Sequence, residues 1–266
     1  MVSLGIGEIF KVDTLISISV PHILEKIFFS LDYVSYTKCS TVSTIWNKLL
    51  YSESYQQMKK DVFLKDIKKE LCNALIQYDP QKIRNLVTSG MIDGNYAHED
   101  EPSVPVSLRG RMLLSIVADR GDTGLVKLII EKGADINVQD KYGHTALFDA
   151  AEEGHLDVVK MLLDAGAKID LCGNSGTRPM HRAAMCSHFE VVQLLLDRGA
   201  DVNLATVDGY NPLHGATISG HKEIIKLLLK SGADQSMSIN GITPLMIAQY
   251  CGHEDVIDIL KQYGAA

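Results

Sequence analysis

Five Gly-Ala pairs set a single rhythm along the second half of the chain. They begin at Gly133, Gly166, Gly199, Gly232 and Gly264, with spacings of 33, 33, 33 and 32 residues. A second glycine series keeps step at Gly110, Gly143, Gly176, Gly209 and Gly241. A third marker reads Gly121-Asp122, Gly154-His155, Ser187-His188, Gly220-His221 and Gly252-His253. Three independent markers with one period identify a stacked repeat architecture.

Each unit has a legible plan. A short segment with small residues follows the first glycine, as in Leu147, Ala150 and Ala151. Gly-His or its equivalent breaks it. A second segment then carries an apolar face, as in Leu156, Val158, Val159, Leu162 and Leu163. These spacings predict two helices of about ten residues, too short to be stable alone. The Gly-Ala pair ends the second helix, its glycine supplying a left-handed C′ residue. One unit cannot bury its own apolar face, so units must stack.

The units resemble ankyrin repeats. The Thr-Pro-Leu-His signature stands as Arg178-Pro179-Met180-His181, Asn211-Pro212-Leu213-His214 and Thr243-Pro244-Leu245-Met246. It weakens to Thr145-Ala146-Leu147-Phe148 and is nearly lost at Met112-Leu113-Leu114-Ser115. Five repeats are expected over residues 108–266, with a degenerate N-terminal cap over 71–94 that includes a helix start at Asp79-Pro80. Lys261 stands where earlier repeats are apolar, as a solvent-facing terminal cap requires. An acidic loop, 95–107, separates cap from repeats and contains His98, Glu99, Asp100 and Glu101, read as solvated rather than metal-binding.

The N-terminal residues follow a different pattern. Leu24, Ile27, Phe28 and Leu31 mark one face of a helix beginning after Pro21. Val20-Pro21, these four residues, and Val42 with Trp46 together resemble the F-box, with Val20 for the usual leucine, Ile23 where an acid is common and Ser43 for a cysteine. The resemblance implies a three-helix module over 15–55 that docks a Skp-type adaptor of a cullin–RING ubiquitin ligase through Val20, Pro21, Leu24, Ile27, Phe28, Leu31 and Trp46. The alternative is a helical cap on the repeat stack. Residues 56–70 hold no glycine or proline and read as a helical joint.

Composition narrows the function. The formal charge is −7, and residues 1–75 carry nine lysines against eight acids, so the remainder is acidic. That argues against a phosphate-binding surface. No apolar run reaches the roughly 20 residues of a bilayer span. Five scattered cysteines without Cys-x-x-Cys read as reduced thiols of the cytosol or nucleus, or of a host cytosol for a pathogen protein. No catalytic constellation, cofactor motif or metal site stands out. Cys186 and His188 are close, yet His188 repeats the positions of His155, His221 and His253, which makes it scaffold.

Binding residues should therefore be those that vary between repeats. The ankyrin resemblance implies an inner face built around the finger turn and the end of the first helix. Its residues are charged in the first two repeats and apolar in the last two. The expected substrate site centres on Tyr210, with Met185, Val207, Ile218, Ile239, Ile242 and Tyr250 around it and Tyr142 and Arg178 beside it. Asp149 and Arg182, equivalent in successive repeats, are expected to form an ion pair. The fold expected is all-α, a three-helix F-box-like module followed by an ankyrin solenoid with short β-turn fingers. The function expected is substrate recognition for a Skp–cullin–F-box ligase, without enzymatic activity; the alternative is a protein-binding scaffold or inhibitor unconnected with a ligase.

Overall fold

The computed structural model describes residues 53–90, 92, 95–97 and 108–264. The F-box-like residues Val20 to Trp46 and the acidic residues His98 to Glu101 lie outside these. The chain divides into two compact units, 1–69 and 70–266. Among the described residues there are twelve helices and no strand, so the all-α expectation holds there.

Helix α1 spans Glu53–Ile76, with residues 56–70 inside it. Tyr78 then takes a left-handed conformation (φ 47°), and its hydroxyl donates to Asp122 at 3.3 Å. Helix α2, Pro80–Thr88, begins on Asp79, whose carboxylate accepts from the Lys82 amide at 3.0 Å. Proline at the first helical position lacks the N–H that would be orphaned there. Ile83, Leu86 and Val87 turn inward.

Ten further helices form five pairs. The inner layer is α3 (Leu113–Asp119), α5 (Ala146–Glu152), α7 (Pro179–Met185), α9 (Pro212–Ser219) and α11 (Pro244–Cys251). The outer layer is α4 (Thr123–Glu131), α6 (Leu156–Asp164), α8 (Phe189–Asp197), α10 (Lys222–Lys230) and α12 (Glu254–Gln262). The core lies between the layers. It draws Ala150, Ala151, Ala183, Ala184, Ala216 and Ala248 from the inner helices and Val158, Leu162, Leu195, Leu228 and Leu260 from the outer ones, all buried. Alanines let inner helices approach closely, and the branched residues fill the space opposite.

In the second to fifth repeats one histidine ties each unit to the one before. The Nε2–H of His155 donates to the Asp119 carbonyl at 2.9 Å, and that of His188 to Glu152 at 2.8 Å. His221 reaches Met185 at 3.1 Å and His253 reaches Ile218 at 3.2 Å. These bonds satisfy carbonyls at the C-terminal ends of inner helices, which have no intrahelical partner. The preceding glycine makes room: a Cβ on Gly154 would stand only 2.3 Å from His188 Nδ1.

The fingers are turns rather than strands. The Gly143 amide donates to Asp140 and the Gly209 amide to Thr206, at 2.9 and 3.0 Å. The fifth finger differs. Ile239 and Ile242 exchange two backbone bonds of 3.0 and 2.9 Å around Asn240 (φ 51°) and Gly241 (φ 83°). This is the two-residue Asn-Gly hairpin turn, which needs positive φ at both centres. It accounts for the single 32-residue spacing in a series of 33.

Candidate protein-interaction surface

The inner helices and fingers form a surface with two characters. Its first half is charged and internally paired. Arg111 Nη2 lies 3.1 Å from Asp149 Oδ2 and 3.4 Å from Asp119 Oδ1. Arg182 pairs with Glu152 of the preceding repeat. The expected Asp149–Arg182 pair is therefore absent, and each residue has another partner. The reason is register. A side chain six residues after the finger glycine looks back at the position nine after the preceding one. Arg182 meets Glu152 in this way. Asp149 is brought towards Asp119, and Arg111 bridges the two carboxylates.

Asp149 is buried, and loss of solvent pushes its carboxyl up to about 7 against the opposing attraction of Arg111. His181 and His214 are buried as well, and burial lowers both to about 4. His181 Nδ1 accepts from the Arg178 amide at 3.3 Å, so its Nε2–H donates to the Tyr210 carbonyl at 3.0 Å. A neutral ring can accept at one nitrogen and donate at the other, and the two contacts select the tautomer.

Two expected binding residues are committed to the fold. Arg178 donates through Nε to the Asp170 carbonyl at 3.2 Å and through Nη1 to Gly176 and Ala205 at 2.8 and 3.0 Å. It staples two fingers together, where threonine at this position would cap a helix. Tyr210 is also tied into the stack. Its ring stacks with His181 and His214 at centroid distances of 5.8 and 6.0 Å. Its hydroxyl is buried against Gly215, where a Cβ would stand 2.6 Å from the oxygen. Burial pushes that hydroxyl up to about 12. An aromatic ring held this way is half-buried and supports the surface from within.

The remaining apolar residues differ in how far they reach solvent. Met185 and Ile239 are half-buried, Met185 beside Gly215 and Ile239 in its hairpin. Val207 is 90 % exposed and Tyr250 94 %. Ile218, Ile242 and Tyr142 are also exposed, the last with the Lys141 ammonium 5.2 Å from its ring centre. Sequence reasoning missed Met246, which is 51 % exposed. It fills the slot where two earlier repeats place a buried histidine, so it reads as scaffold until the structure shows its fifth-repeat setting.

Among the described residues no group of three or more His, Cys, Asp and Glu could hold a metal ion. No described helix is long and apolar enough to cross a membrane.

Comparison with protein families matches the family described as "Ankyrin repeats (3 copies)" over residues 114–206 and 203–266, more than half of the chain. The chain belongs to the ankyrin-repeat family. The ankyrin match begins inside α3, just past the eroded Met112-Leu113 start of the first repeat. It does not reach residues 20–46. A comparison with curated proteins finds no match. Ankyrin repeats carry a protein-binding role, and the varied, exposed residues of the inner surface are where this chain presents chemistry of its own.

Proposed function

We propose that this chain is a non-enzymatic substrate-recognition subunit of a Skp–cullin–F-box ubiquitin ligase, working in the cytoplasm or nucleus. Residues 15–55 dock the Skp-type adaptor, and the inner face of the fourth and fifth repeats holds a substrate protein. The observation that carries the binding half is the exposure of Val207 and Ile218 on the fourth repeat, where the first three repeats present paired charges. Apolar groups gathered on a surface mark an interaction site. Ile242 and Tyr250 of the fifth repeat are exposed as well, and belong to the same expected set. The paired charges of the first two repeats contribute selectivity more than affinity. The ligase half rests on the F-box resemblance of Val20 to Trp46.

The two halves are tested separately. Pro21→Ala with Leu24→Ala is expected to abolish capture of a Skp-type adaptor while thermal stability of the repeats is unchanged. Undiminished capture refutes the ligase reading and leaves a scaffold or inhibitor. Val207→Ser with Ile218→Ser is expected to weaken substrate binding by about 2 kcal/mol, as removal of interface-centre apolar groups does. Retention of every co-purifying partner by that variant places the site elsewhere.

A further inference from the structure

The fifth finger differs from its neighbours in one chemical respect. In the second, third and fourth fingers the glycine amide is spent on a turn. Gly143, Gly176 and Gly209 donate to the Asp140, Gly173 and Thr206 carbonyls at 2.9, 2.9 and 3.0 Å. The shorter fifth finger instead closes through the two bonds between Ile239 and Ile242. Its Gly241 amide makes no hydrogen bond among the described residues.

Asn240 precedes that amide, in the only Asn-Gly pair of the sequence. Asparagine is a thermally labile residue, and its surroundings decide how labile. Other asparagines of the stack are tethered. Nδ2 of Asn137, Asn174 and Asn203 donates to the Gly166, Lys141 and Gly232 carbonyls at 3.3, 3.0 and 3.0 Å. The Asn240 side chain is exposed and makes no such bond among the described residues. Its exposure belongs to the position, since the equivalents Tyr142, Ser175 and Asp208 are exposed in the middle of the stack.

We infer that Asn240 is a site of spontaneous deamidation, through a cyclic imide closed by the Gly241 nitrogen. An amide with no protein acceptor gives its proton to hydroxide without first losing a partner, and glycine has no Cβ to shield it. The Gly241 nitrogen bonds to Asn240 Cγ, the Cγ–Nδ2 bond breaks, and Nδ2 leaves as ammonia. Water then adds to one of the two carbonyl carbons of the neutral succinimide. Cleavage of the new Cγ–N bond gives aspartate. Cleavage of the original backbone C–N bond gives isoaspartate, with the chain continuing through Cβ and Cγ. Nothing is oxidised or reduced, and water is the only co-reactant. Closing the ring needs rotation about the Asn240 Cα–C bond, so the two Ile239–Ile242 bonds must open first. They lie on a finger outside the helical core, and such opening is local.

Both products alter the finger. Aspartate places a negative charge two residues from the exposed Ile242. Isoaspartate adds a carbon to the backbone of a two-residue loop whose geometry is set by positive φ at both centres. The Ile239–Ile242 bonds cannot both survive it. The fifth finger thus carries a slow, one-way chemical change in its own sequence. This inference does not depend on the ligase reading.

The test is peptide mapping by mass spectrometry on the full chain, held folded in mildly alkaline buffer at body temperature for several weeks. Asn240 should deamidate at least about tenfold faster than the tethered Asn174. Its rate should rise with pH, as removal of the amide proton requires. Aspartate and isoaspartate should both appear at Asn240, since direct hydrolysis of the side chain gives aspartate alone. Asn240→Gly keeps a residue suited to positive φ and has no side-chain amide to lose, so most of the acidic species should vanish. In the isoaspartyl form, the Ile242 amide should exchange with solvent faster than in the parent. Equal rates at Asn240 and Asn174, or aspartate without isoaspartate, would overturn the inference. Unchanged exchange at Ile242 would overturn the remodelling of the finger.

Discussion

Asp149→Asn should stabilise the protein, and the gain should grow with pH. The Asp149 carboxyl is held at about 7 in the folded chain against an ordinary value of 3.8. Between those values the folded protein keeps a proton that the unfolded chain has released. The unfolded state binds fewer protons, so stability falls as pH rises through the window and stays reduced above it. Each pH unit contributes at most about 1.4 kcal/mol. The asparagine side chain has nothing to ionise and is nearly isosteric with the protonated acid. The variant's advantage over the parent should therefore be about 2–3 kcal/mol larger at pH 8 than at pH 5. His181 and His214 act with the opposite sign. Their folded values of about 4 lie below the ordinary 6.5, so they cost stability as pH falls towards 4. Comparing variant with parent at each pH removes their contribution. Urea titrations at the two pH values supply the measurement. An advantage that does not change with pH would mean that Asp149 is ionised throughout, with Arg111 compensating fully for burial.

Alanine at Gly154 should cost far more than alanine at Gly133, although both glycines have positive φ, 76° and 86°. A left-handed alanine costs roughly 1–2 kcal/mol wherever it stands. A Cβ at Gly133 meets nothing within 4 Å, so that strain is the whole expected loss. At Gly154 it would collide with the His188 ring, 2.3 Å from Nδ1, whose Nε2–H bonds the Glu152 carbonyl at 2.8 Å. The ring must leave, and the Glu152 carbonyl loses its partner. Adding about 1 kcal/mol for the lost bond and more for the displaced ring gives about 3–4 kcal/mol in all. Thermal unfolding of the two single variants reads the difference. Removing the ring in the same background, with His188→Ala, should make the two losses less than additive. Equal losses at the two glycines would show that the ring moves aside at no cost, and that the histidine ties do not hold the stack together.

These ties also bear on what the inner surface can offer a partner. His155, His188, His221 and His253 spend their ring nitrogens on backbone carbonyls, and Arg178 spends its guanidinium in the same way. Arg111 and Arg182 are engaged with carboxylates of the same surface. The groups with the greatest chemical reach are thus consumed within the stack. Exposed apolar side chains remain, which is why Val207 and Ile218 carry the binding proposal.

Much of this architecture is legible in the sequence because it is written at short range. A glycine every 33 residues ends a helix whatever lies beyond it. Proline at Pro179, Pro212 and Pro244 starts one, and apolar residues spaced three and four apart turn one face inward. Helix pairs, their order and the scaffold role of the repeated histidines follow from such local rules. The lateral register of one repeat on the next does not. It arises from contacts between side chains about 30 residues apart, packed at the roughly 8–10 Å separation of neighbouring helices. Hence Asp149 finds Arg111 rather than Arg182. Tyr210 looked like a free aromatic because its position varies between repeats. It is stacked and half-buried because Gly215 leaves a space only an assembled stack can define. Met246 is the converse, a scaffold position that is 51 % exposed in the fifth repeat although its equivalents His181 and His214 are buried. Periodicity specifies which elements form, since each element's ends are governed by its own residues. Accessibility belongs to the pair of surfaces that meet, and only the tertiary structure brings those surfaces together.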